Sequence, residues 1–257
     1  GLGHFSPNGG DSRILVAAAP LGALNSAQRT AIKTAVAGLV ANNSTPSAHA
    51  YAEAAAYMLG TTTYTSIPYT REDYRRSGTG SYYACSTRNG INLTTGTQTC
   101  KTWKTSGGVS SIGSGYGSYV SGSYTIYTSN QTYVDANSGT PYSVSGSKTA
   151  ANGPYISPLP AVANRKPSCD GQGIYFLSDG QPNNSSAVEA QRVMAKALND
   201  SSFTCDDASV SAVGSTTTIK STGSEDAWSC MAKFSQKLYS ATSNPQNVRI
   251  KTAFVGF

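Results

Sequence analysis

The sequence predicts an α/β fold, a mostly parallel sheet flanked by helices and interrupted by a large β-rich insertion. Short apolar runs of strand type alternate with amphipathic helical segments toward both ends of the chain, the pattern of parallel strands joined by crossover helices. Between residues 61 and 168 helical periodicity disappears and turn residues dominate. A structureless loop of that length inside a compact domain is improbable, so the stretch reads as a subdomain of its own. Three parts follow: residues 1–60 as the first part of the α/β domain, 61–168 as a Tyr-, Gly- and Ser-rich β insertion, and 169–257 as the second part.

Residues 13–19 form an apolar strand ended by Pro20 and Gly22. Asn25 with Gln28 reads as a capping box, after which Ile32, Val36, Leu39 and Val40 recur at helical spacing. Thr45 stands where an N-cap belongs, Pro46 suits the first helical position, and an Ala-rich helix runs to Leu59. Inside the insertion, alternating stretches such as 116–127 read as β-hairpins. Residues 174–177 are a buried strand delivering a Ser-Asp-Gly turn at Asp179. Ser186 with Glu189 makes a second capping box, and Ala190, Val193, Met194, Ala197 and Leu198 supply the apolar face behind it. A last helix, about 225–239, places Ala227, Met231, Phe234 and Leu238 inward, and 248–255 is the closing strand.

Only 12% of the residues are charged, while Gly, Ser, Thr, Asn and Tyr abound, the profile of a loop-rich extracellular surface. Apolar runs such as 14–20 fall far short of the roughly 20 residues of a transmembrane helix, so no membrane span is expected. The net charge of +6 resides in the insertion, which holds nine Lys and Arg against three Asp and Glu, with ten of each elsewhere. The insertion also holds 12 of the 16 tyrosines, together with Trp103. Tyr and Arg carry binding energy well, one as a rigid amphipathic ring and the other as a planar donor fork. Tyr74, Arg75, Arg76, Tyr82, Tyr83 and Trp103 are therefore the candidate recognition surface. The competing reading is that these rings pack a thin β subdomain poor in Leu and Ile. No nucleic-acid-binding motif accompanies the positive charge, so nucleic acid is not an expected partner.

The five cysteines include no CxxC pair and lie near no histidine cluster, which favours disulfides over zinc. Cys85 and Cys100 share one Gly/Ser/Thr-rich stretch and make the first expected bridge. Cys205 with Cys230 is the second, leaving Cys169 odd.

Catalysis finds little support. The histidines are His4, in a Gly-rich terminus, and His49, in the Ala-rich helix. Ser178 lacks a GxSxG elbow, no P-loop or GxGxxG appears, and no carboxylate pair stands out. The chain reads as a non-enzyme.

Four stretches carry a family resemblance: SRILVAAAPLGALNSAQR, STPSAHAYAEAAAYMLG, IYFLSDGQPN and NVRIKTAFVGF. In this order they resemble the von Willebrand factor A-like, Rossmann-type domain of the PilC/PilY proteins, type IV pilus tip adhesins and biogenesis factors. The stretches cover less than half of the chain. The resemblance implies a metal site in which Thr45 and Asp179 hold Mg²⁺ or Ca²⁺, hard cations that take oxygen ligands. The DxSxS strand that completes such a site is missing. Asp207, Ser209 and Ser211 fit the pattern but follow a polar segment, and Asp11 with Ser12 lacks the second serine. Without that strand, Asp179 reads equally as a turn residue before Gly180 and Thr45 as an ordinary helix cap. A central strand supplied by upstream or companion sequence is the expectation that follows.

The resemblance further implies an extracellular location at the bacterial surface or pilus tip. It implies attachment to a host-cell or surface receptor, protein or glycan, contacts to minor pilins, and support of pilus assembly and twitching motility. Two other roles stand beside adhesion: a degenerate domain with a structural task in the pilus tip complex, and a secreted carbohydrate-binding domain.

Overall fold

The computed structural model describes residues 1–5, 12–40, 45–92, 95–134, 146–161, 164, 171–178, 185–205, 208–212, 215–219 and 227–256. In chain order the elements begin with β1 (Leu2–Phe5), β2 (Ser12–Val16), α1 (Ala27–Ala37) and α2 (Ser47–Leu59). There follow β3 (Ser66–Arg76), β4 (Tyr82–Arg88), β5 (Thr97–Gln98), β6 (Cys100–Trp103), β7 (Gly117–Ser121) and β8 (Tyr124–Val134). The chain continues with β9 (Gln172–Ser178), α3 (Ala187–Leu198), β10 (Ala208–Ala212), β11 (Ser215–Ile219), α4 (Trp228–Tyr239) and β12 (Ile250–Gly256). These divide into two compact units, Ser66–Val134 and the remainder, Gly1–Thr65 with Asp135–Phe257.

The expected parallel, A-like sheet is not what the chain forms. The fold is mixed α/β, and its largest sheet is six-stranded and mostly antiparallel, in the order β6-β4-β3-β8-β7 with β5 against β3. In the helical unit, β2 pairs antiparallel with β1, and β10 pairs antiparallel with β11. β9 and β12 do run parallel, as a sheet of two. Alternation of strand and helix along the sequence suggested crossovers, but β2 finds its partner a few residues away, and a short loop closes at less entropic cost than a long crossover.

The core of this unit is built on α2. Ala48, Ala52, Ala55 and Ala56 are fully buried, and their small side chains let α3 and α4 approach with Val193, Met194, Phe234 and Leu238. Tyr51 meets Phe234 and Phe254 edge-on at centroid distances of 5.0 and 5.4 Å. The capping box at Ser186 forms, its hydroxyl accepting from the Glu189 amide at 3.2 Å. Two of the other three helix starts differ by one residue from expectation. Ser26, not Asn25, caps α1, because Asn25 takes a left-handed φ of 74°. Pro46 occupies the cap position of α2, and the Thr45 carbonyl accepts from the Ser47 amide at 2.8 Å. The apolar stripe of α1 is not a core face: no residue of the helix is buried. β9 is half-buried, with Ile174 and Phe176 inward while Tyr175 is 69% exposed.

One buried carboxyl ties distant parts of this unit together. Glu53 on α2 accepts from the Thr63 and Tyr155 hydroxyls and lies 3.6 Å from the Lys148 ammonium, which is itself buried and 4.4 Å above the Tyr155 ring. Burial pushes the Glu53 carboxyl up and the Lys148 amine down, each opposed by the attraction of the other. Removing one partner of such a pair strands the other. Glu53→Ala is therefore expected to cost about 3–5 kcal/mol, the range for breaking a buried ion pair, read as a lower midpoint in urea denaturation.

Candidate recognition surface

In the unit spanning Ser66–Val134, strand register decides which side chains share a face, because opposed residues point the same way. Arg75 opposes Tyr83 on β4 and Ile126 on β8, Ile126 opposes Tyr119 on β7, and Cys85 opposes Trp103 on β6. Tyr74 opposes Ala84 and Tyr127, and Arg76 opposes Tyr82 and Thr125. The six candidate residues are thus split: Arg75, Tyr83 and Trp103 lie on one face, Tyr74, Arg76 and Tyr82 on the other.

On the second face the groups satisfy one another. Arg76 donates from Nε to the Gly80 carbonyl at 2.7 Å and from Nη1 to the Tyr82 hydroxyl at 2.8 Å. Tyr82 meets Tyr127 and Tyr74 meets Tyr116 edge-on, at 5.1 and 5.5 Å. These tyrosines do the packing that Leu and Ile would do elsewhere.

On the first face Arg75 is held differently. Its guanidinium lies 4.6 Å from the Tyr124 ring and 5.7 Å from Trp103, distances at which a cation is attracted to a ring face. It makes no hydrogen bond or ion pair with any described residue, and its Nε is withheld from water without an acceptor. Tyr119 and Tyr124 on the same face are 46% and 38% exposed. Neither was among the candidates read from the sequence. The signal that finds them is the β7–β8 hairpin turning at Gly122, whose φ is 58°: alternation counted back from that turn puts Tyr119 and Tyr124 beside Arg75.

The unit's two acidic side chains are engaged by other groups, Glu72 on the Arg75 face itself. Glu72 accepts from the Tyr119 hydroxyl and from the Cys100 amide at 2.7 Å; partial burial and this carboxylate push the Tyr119 phenol up to about 12. Asp73 sits at a bulge in the β3–β8 ladder, buried, and accepts from Arg71 at 2.8 Å, Arg88 at 2.9 Å and the Ser129 hydroxyl. The Cys85–Cys100 disulfide braces β4 beside Trp103. Gly108 permits the Tyr82–Val109 backbone pair, since a Cβ there would stand 2.8 Å from that of Ser81 and 3.0 Å from the Tyr83 ring.

The second disulfide, Cys205–Cys230, lies in the helical unit; Cys169 is outside the described residues. Of the two metal-ligand candidates, Thr45 lies half-buried ahead of α2, and Asp179 is outside the described residues. No group of three His, Cys, Asp or Glu that could hold a metal occurs among the described residues, so the described donor set amounts to one hydroxyl. Among the described residues no helix is long and apolar enough to cross a membrane.

Comparison of the chain with protein-family models, with curated proteins and with solved structures gives no match in any of the three.

His49 contacts Ser185 through Nδ1 at 2.8 Å, and both side chains are buried. The serine faces the histidine in the core. Burial lowers the imidazole to about 4. The unfolded chain, with an ordinary histidine near 6.5, then takes up a proton where the folded chain does not. Stability from this group is complete above pH 6.5 and is lost as pH falls toward 4, by on the order of 3 kcal/mol. Urea denaturation at pH 7 and pH 4.5 is expected to show that loss, and His49→Gln to reduce it.

Proposed function

We propose that this chain belongs to a non-enzymatic type IV pilus tip-associated adhesin and biogenesis factor that attaches cells to a host or inert surface through the Arg75 face of its β unit. The observation that carries this reading is Arg75 itself: a cation set on two aromatic rings, with both acidic side chains of its unit occupied by other partners. A group whose task was structural would be paired, as Arg71, Arg76 and Arg88 are. Two disulfides accord with an oxidising, extracellular setting. The four stretches that resemble PilC/PilY sequences supply the pilus context, with minor pilins as partners in assembly.

Beads coated with the chain are expected to adhere to host-cell monolayers, and Arg75→Gln or Tyr124→Ser to abolish most of that adhesion without moving the melting temperature. Equal adhesion by the variants would remove the face from the mechanism. Gating by Mg²⁺ or Ca²⁺ through Thr45 and Asp179 is a separate proposal that rests on the resemblance. It requires saturable heat on calorimetric titration of either ion, lost in Asp179→Ala; a flat titration of the folded chain ends it.

A further inference from the structure

We infer that the open donor edge of Arg75 is a binding site for a carboxylated sugar, a uronic acid unit of an acidic polysaccharide. The inference rests on the recognition reading above and names its ligand class.

The unit spanning Ser66–Val134 contains six Lys and Arg and two acidic residues. Asp73 takes Arg71 and Arg88, and Glu72 takes a phenol and an amide. Among the described residues of this unit, no carboxylate is left for Arg75. A guanidinium that is fixed in place, partly withdrawn from water and lacking an anion is prepared for one from outside, and its planar fork matches a carboxylate through two parallel hydrogen bonds. Arg75 is held by rings rather than by hydrogen bonds, so its Nη donors are not committed to protein acceptors.

The surroundings choose among carboxylates. On this face Tyr83, Trp103, Tyr119 and Tyr124 present rings, Tyr119 and Tyr124 the most exposed, while the aliphatic Ile126 lies buried in the sheet. Acidic peptide motifs are recognised by clusters of arginines, whereas Arg75 stands opposite Tyr83 and Ile126 and the unit's other three arginines are engaged with Asp73, Gly80 and Tyr82. Flat rings, with the Tyr124 hydroxyl at their edge and the Tyr119 hydroxyl held by Glu72, instead suit the C–H faces and hydroxyls of a pyranose, with the guanidinium reading its carboxylate.

The test is calorimetric titration of the folded chain with a galacturonic acid tetramer, a neutral galactose tetramer and a tetraglutamate peptide. Saturable binding of the uronate alone is expected, weakening as salt rises. Arg75→Gln should reduce affinity roughly tenfold or more, the scale for loss of one bidentate charged pair. Arg75→Lys should also lose affinity because the fork is gone, and Lys251→Gln, which removes one exposed charge in the other unit, should not. If Arg75→Gln lowers the melting temperature, Tyr124→Ser, which keeps the charge and removes a ring, gives the decisive comparison. Tetraglutamate binding as tightly as the uronate overturns the sugar assignment. So does a chain that ignores the uronate while its beads still adhere through Arg75, an outcome that leaves the recognition reading standing. Loss of Arg75-dependent adhesion as well overturns both.

Discussion

The carboxyl of Glu53 is the group on which the two halves of the helical unit depend. It projects from the middle of α2, the most deeply buried helix, and gathers Thr63, which precedes the β unit, with Lys148 and Tyr155, which follow it. Backbone contacts run beside the same junction: the Tyr155 amide donates to the Thr61 carbonyl at 2.8 Å, and the Ser157 hydroxyl to the Met58 carbonyl at 2.6 Å. The outgoing and returning chains are thus fastened to one helix and to each other. Buried charge is poorly tolerated unless every oxygen finds a donor, and here each carboxyl oxygen does. The polar network therefore fixes the point of departure and return to one arrangement, where apolar packing alone would accept several.

Beyond that junction the β unit solves a different problem. With few aliphatic residues it cannot make a deep core, so it uses ring-on-ring contacts on one face, a bulge whose aspartate draws in two arginines, and a disulfide across its outer strands. The bulge takes Asp73, and Glu72 is taken by the Tyr119 hydroxyl and the Cys100 amide. Of its arginines, Arg75 is the one held by rings rather than by an oxygen acceptor, on the face that also carries the buried Ile126 and Cys85.

Much of the helical unit was legible in the sequence, because helices announce themselves through local spacing and caps. Ser186 with Glu189 opened α3 as read, and Ala227, Met231, Phe234 and Leu238 turned inward. The sheet was not legible. An apolar run such as that at β2 states that a strand exists but not which strand it pairs with, and β1 claimed it antiparallel. The cysteine pairs expected at Cys85–Cys100 and Cys205–Cys230 are bonded. Residue type alone selects Tyr74, Arg75, Arg76, Tyr82, Tyr83 and Trp103 and does not separate the two faces of the sheet. Separating Arg75 from Arg76 needs the register, and Tyr124 enters only once the turn at Gly122 is placed.

Within the β unit, Ser66 and Val134, its first and last residues, are opposed neighbours in the β3–β8 ladder. Sixty-nine residues therefore leave the parent chain and rejoin it across a single strand-to-strand spacing, about 5 Å. A segment whose termini coincide in this way asks of its host only a gap of that width. It can be lengthened, shortened or exchanged wholesale over generations while α2 and its partners are preserved. The sequence of such a segment can thus drift on a different clock from that of α2 and its partners.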